Sequence, residues 1–172
     1  LGGNLYSGNL DLIAVKEMIQ NAVDAVRGRA DAKITVTIKG REITISDNGH
    51  GMTRAVLTKE FVDIGGSFKR EGASGGFGIA KVAILANAAK IEVLSTADTP
   101  AGRMMTTLSG TGAGWKDPDV GLKLDSVRAP NHPTGTTVTI VLNDGVRTDS
   151  YNLGNWLTRL LTYSTLLIEW EI

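Results

Sequence analysis

Apolar positions recur along this chain with two different periods. From Leu10 to Arg27 they return every three or four residues, with Leu12, Val15, Ile19, Ala22, Val23 and Val26 on one stripe, which predicts a helix ending before Gly28. Lys33 to Lys39 alternates instead, with Ile34, Val36 and Ile38 on one face; after a turn at Gly40, Glu42 to Asp47 alternates through Ile43 and Ile45. Arg54 to Val62 reads as a short helix, and Ile79 to Ala89 as a nearly all-apolar, hence buried, one. Strands are expected at Lys90 to Thr96, Arg103 to Ser109, Leu122 to Val127 and Gly135 to Leu142. Asp149 or Ser150 is placed to cap a last helix striped by Leu153, Trp156, Leu157, Leu160 and Leu161, and Leu166, Ile168, Trp170 and Ile172 alternate as a closing strand. Helices and strands mix without regular βαβ alternation, so the expected class is α/β in the α+β sense, a two-layer sandwich with a mixed sheet.

The first helix has a third face. Glu17, Asn21 and Asp24 follow one another at i, i+4 and i+7, so their side chains stack in line. Their neighbours are Leu10, Ile13, Ala14, Met18 and Ala25, while Lys16, Gln20 and Arg27 gather on the solvent side. Two carboxylates and an amide with no cation beside them are costly to bury unless something binds them. A magnesium ion would answer that need, because it takes hard oxygen ligands together with substrate phosphates. A carboxylate next to it can act as general base on water. The plainer alternative is a solvated polar edge of an amphipathic helix.

Strand parity places two polar groups inward. Asp47 shares the face of Ile43 and Ile45, and Asn48, Gly49 and Gly51 let the backbone bend closely around whatever it contacts. A lone inward carboxylate wants a strong donor, and the exocyclic amine of an adenine is one. Asp-Asn-Gly is equally a common hairpin turn. Thr136 lies on the face of Val138, Ile140 and Leu142, so its hydroxyl also points inward, as ligand contact or as a strand residue bonded to backbone.

Composition changes the picture mainly through glycine: 21 residues, where ordinary usage would give about 12. Six of them (65, 66, 72, 75, 76 and 78) fall in one loop that runs into the Ile79 helix, where free N–H groups favour phosphate and Lys81 occupies the first turn. The spacing fits neither a P-loop nor a Rossmann fingerprint, and a flexible surface loop is the alternative. Eighteen basic against eighteen acidic residues leave no net charge, which excludes a whole-chain nucleic-acid or membrane footprint. The absence of cysteine excludes disulfides and thiolate zinc sites, and His50 and His132 stand far apart. No apolar stretch is long enough to span a bilayer; a cytoplasmic location without membrane association is expected. The first residue is not Met and no signal peptide is visible, so the chain reads as a piece of a longer protein.

Taken in order, Glu17-Met-Ile-Gln-Asn21-Ala-Val-Asp24, Asp47-Asn-Gly49-His-Gly51-Met52, Ser74-Gly-Gly76-Phe-Gly78 and Gly135-Thr136 resemble the four boxes of the GHKL superfamily. This is the ATP-binding fold of DNA gyrase, the ninety-kilodalton heat-shock chaperones, sensor histidine kinases and the MutL proteins. The resemblance covers essentially the whole chain as one domain, and the chaperone and topoisomerase branches fit best. It implies a Bergerat-type sandwich, with a mostly antiparallel sheet and helices on one face, holding bent ATP. It also implies that Asn21 ligates Mg2+, Glu17 activates the attacking water, and Asp24 supports them. Asp47 would accept from the adenine amine with Thr136 helping through water, Gly49, Gly51 and Met52 would shape the adenine pocket, and Gly75, Gly76, Phe77, Gly78 and Lys81 would surround the phosphates. Residues 65–78 would be the ATP lid.

The resemblance thus implies a magnesium-dependent ATPase that couples nucleotide state to conformation. Slow turnover is expected, because the distal Lys or Arg that many relatives place on the γ-phosphate has no match. The partners implied are other domains of the same protein or a second protomer, with a protein client or DNA reached through further regions. Two other classes stay open: a histidine kinase catalytic domain and a nucleotide-gated module without turnover.

Overall fold

The computed structural model describes residues 7–63, 85, 87–116, 121–145, 150–162 and 167–171. Helix α1 spans Ser7–Ala25, strands β1 and β2 span Lys33–Lys39 and Glu42–Asp47, and helix α2 (Arg54–Leu57) passes into a π-helical turn at Thr58–Asp63. There follow β3 (Ala88–Thr99), β4 (Gly102–Gly110), a short helix α3 (Gly112–Lys116), β5 (Leu122–Arg128), β6 (Gly135–Leu142), helix α4 (Ser150–Thr162) and β7 (Leu167–Glu171). Every strand that the alternation predicts is present.

Three boundaries differ for local reasons. Helix α1 stops at Ala25 rather than Arg27, because the chain turns out through residues 26–28, with Arg27 N–H on the Asp24 carbonyl and Arg29 N–H on that of Val26. The helix after Arg54 keeps α geometry for one turn, capped by the Thr53 hydroxyl; Thr58 then donates its hydroxyl to the Arg54 carbonyl at 2.9 Å, a competing bond of the kind that loosens a helix. Strand β3 begins at Ala88, inside the predicted Ile79 helix. Of that helix, Leu85 is described and is helical, and Asn87 lies in a turn where its carbonyl accepts Asn143 N–H at 2.9 Å.

The strands form one sheet in the order β5-β4-β3-β6-β2-β1-β7. All neighbours are antiparallel except β1 and β7, so the sheet is mixed and mostly antiparallel. Ile34, Val36, Ile38, Ile43, Ile45, Ile91, Val93, Val138, Ile140 and Leu142 point to one face. There they pack with Val15, Met18, Ile19, Ala22 and Val26 of α1 and with Leu153 and Leu157 of α4. Each of these Val, Leu, Ile and Met side chains contributes about 1.5–3 kcal/mol by leaving water. Lys16 is not a free solvent residue as the wheel predicts: its ammonium sits 5.4 Å from the ring centre of Trp156 and ties α1 to α4. The opposite sheet face is hydroxylic, with Ser46 bonded to Thr137 at 2.9 Å and Thr44 to Thr139 at 3.4 Å.

Candidate functional site

The register of β2 against β6 sets Asp47 directly opposite Thr136, and both side chains face the helical layer as strand parity predicts. Asp47 Oδ1 accepts the Gly49 N–H at 2.8 Å. Asn48 fastens the same corner, with Oδ1 accepting Lys33 N–H at 2.7 Å and Nδ2 donating to the Asp31 carbonyl at 2.6 Å. The Asp-Asn-Gly segment therefore leaves the sheet and does not close a hairpin, since β2 turns back on β1 at Gly40 and its other neighbour is β6. Burial pushes the Asp47 carboxyl above the usual carboxylate range. The N–H groups of Gly49 and Thr136, and the charges of His50 and Arg29, pull it partly back.

Above Asp47 opens a cavity of about 280 Å³. Helix α1 gives it Met18, Asn21, Ala22, Asp24 and Ala25, and the sheet gives Ile45, Asp47, Thr136 and Val138. The segment after β2 closes it with His50, Gly51, Met52, Val56, Glu60 and Phe61. Apolar walls with a few polar groups at the base are the general form of a small-molecule site. Gly51 has φ +69°, and a Cβ there would overlap the Thr96 carbonyl, so only glycine lets this loop lie against β3. His50 Nδ1, 2.6 Å from the Gly51 carbonyl, is the protonated ring nitrogen.

Ser95 escaped the sequence reading. It is wholly buried on β3, and its hydroxyl meets Met52 N–H at 2.7 Å and Thr136 Oγ1 at 2.8 Å. Thr136 is thus bonded to another side chain and not only to backbone. The signal was available, because Ser95 falls on the parity of Ile91 and Val93, just as Asp47 falls on that of Ile45.

The structure gathers Asn21, Asp24, Asp47, Gly51, Met52 and Thr136 around one cavity. Glu17 lies half-buried on α1 one turn before Asn21, outside the lining, and Gly49 is buried behind it. The premise that no cation accompanies the third face of α1 is corrected. Asp24 pairs with Arg27 at 2.5 Å, both exposed, and Asn21 is exposed as well, so the acidic face is not forced into an apolar layer. Arg27 reaches Asp24 because residues three apart are neighbours on a helix surface, and the turn after Ala25 keeps them so. Gly75, Gly76, Phe77, Gly78, Lys81 and the lid at 65–78 lie outside the described residues.

A family model described as histidine kinase-, DNA gyrase B- and HSP90-like ATPase matches residues 9–111. That span is more than half of the chain, and the chain belongs to this family, with a GHKL-type ATP-binding domain. Among curated proteins, none matches it. The matched span carries α1 and Asp47, whereas Thr136 lies beyond it and joins them through the sheet register. Among the described residues, no helix is long and apolar enough to cross a membrane.

Proposed function

We propose that the domain binds ATP with magnesium, hydrolyses it slowly, and passes its nucleotide state to the rest of a larger protein, in the manner of a chaperone or a topoisomerase. The observation that carries this reading is Asp47 beside Thr136 in a cavity walled by Met18, Ile45, Met52, Phe61 and Val138. A half-buried acceptor whose carboxyl is pushed up by loss of water suits the exocyclic amine of adenine, which holds it ionised. Met52, Ile45, Val138 and Met18 give the ring apolar contact, and Thr136 assists through water.

Asn21, exposed at the cavity, would hold magnesium by its amide oxygen. Among the described residues no group of three or more His, Asp or Glu side chains gathers, so phosphate oxygens would complete the ligand set. Bound magnesium supplies charge neutralisation on the phosphates. Glu17, with Asp24 in support, would take the proton from a water whose oxygen bonds to the γ-phosphorus as the bridging oxygen leaves with ADP. Gly75, Gly76, Phe77, Gly78 and Lys81 are assigned to the phosphates.

Isothermal calorimetry with ATP, with and without magnesium, followed by an assay of released phosphate, tests this. Binding that needs magnesium and slow phosphate release are expected. No binding refutes the reading, and binding without release reduces it to a nucleotide-gated module. Phosphohistidine on a partner would point to a kinase.

A further inference from the structure

We infer that Ser95 is a positioning residue for purine recognition: from behind the cavity it turns the Thr136 hydroxyl so that a donor stands beside the Asp47 acceptor. The inference rests on the ATP reading above and deepens it.

Met52 N–H can only donate, so Ser95 Oγ accepts it, at 2.7 Å. Ser95 has a single hydrogen left to give. Two acceptors stand near it, Thr136 Oγ1 at 2.8 Å and the Gly135 carbonyl at 3.4 Å. Bonds between hydroxyl and oxygen run about 2.5–3.0 Å, so Thr136 is the better-placed acceptor for that hydrogen. The same contact also admits Thr136 as donor, with Ser95 then turned to Gly135, and the experiment below distinguishes the two. With Ser95 as the donor, Thr136 keeps its own hydrogen for the cavity it lines. Ionised Asp47, opposite Thr136 across the ladder, can only accept.

Acceptor and donor thus stand side by side. A 6-aminopurine presents the complement along one edge, an amine at N6 and a bare ring nitrogen at N1. A 6-oxopurine presents the reverse, an oxygen at C6 and N–H at N1. In direct contact the pair selects the aminopurine. Asp47, Thr136 and Ser95 stand in one row across β2, β6 and β3, and Thr106 and Ser126 extend it across β4 and β5 with a 3.0 Å bond between their hydroxyls. The row cuts through a face that is otherwise apolar. Burying such hydroxyls is costly unless their hydrogens are placed, which gives Ser95 a defined orientation even before a ligand arrives.

The test compares ATP with 1-deaza-ATP, which keeps the amine but carries C–H in place of N1, by calorimetry on the whole chain. In the wild-type protein the exchange should weaken binding about three- to tenfold, the worth of one net hydrogen bond. In Ser95→Ala, shown to be folded by its circular dichroism melt, ATP binds more weakly and the same exchange costs under about twofold. Ser95→Cys, a weaker donor at nearly the same volume, should fall between and carries the comparison if the alanine variant does not fold. An undiminished N1 effect in these variants, or none in the wild-type protein, overturns the inference while leaving ATP binding intact. Failure of the wild-type protein to bind ATP overturns the functional reading itself.

Discussion

The backbone of Gly49 lies against Ala25: a Cβ on Gly49 would come within 2.5 Å of the Ala25 carbonyl oxygen, which also accepts the His50 N–H at 3.3 Å. The last turn of α1 and the exit of β2 are thereby locked together, and Ala25 is a wall of the cavity. Gly49→Ala should force α1 outward. Overpacking of this kind costs about 1–3 kcal/mol, or a fall of roughly 3–10 °C in Tm at this chain length. ATP affinity should fall with it. Scanning calorimetry and titration read both, and an unchanged Tm would mean that the contact is slack.

Asp47→Asn should weaken ATP binding by roughly ten- to a hundredfold, the worth of a hydrogen bond to a charged group. The ligand-free protein should move the other way. Because burial raises the Asp47 carboxyl, the native state holds its proton to higher pH than the unfolded chain, and stability falls as pH rises through that window. Above that window the cost of the charge is present in full, so there Asp47→Asn should raise Tm. That advantage should vanish below the ordinary aspartate pKa, about 3.9. Melting curves across pH check the sign.

The same carboxyl should make ATP binding acid-sensitive. Affinity should begin to drop at a pH above the usual carboxylate range and be lost as Asp47 takes up its proton. Titrations over an acid series would show it, and a flat profile would count against Asp47 as the purine acceptor.

Glu17→Ala should keep ATP affinity within about twofold and reduce phosphate release by about 10²–10⁴-fold, the usual span for a general base. Undiminished release would take the role away from Glu17.

Asn21→Ala should raise the magnesium concentration needed for half-maximal ATP binding. A metal titration identical to that of the wild-type protein would remove Asn21 from the ligand set.

Much of this architecture could be read from periodicity, because a strand with one face on the core must alternate and a packed helix must carry a stripe. Asp47 and Thr136 were visible as polar residues on apolar parity, and Ser95 carries the same mark. What no pattern along the chain reveals is which strands become neighbours. Thr136 meets both Asp47 and Ser95 only because β6 enters the sheet between β2 and β3. The ion pair of Asp24 with Arg27 is legible too, since residues three apart are neighbours on a helix surface.

The insertion of β6 has a consequence for assembly. Without it the remaining strands fall into two ribbons, β5-β4-β3 and β2-β1-β7, with no hydrogen-bonded seam between them. Such distant pairing is slow to arrive, since a long loop of chain must close before any contact rewards it. Thr136 rides on this keystone strand. Nascent chains that have not yet threaded it lack a finished floor for a purine, so capture of nucleotide would report that both ribbons have been joined.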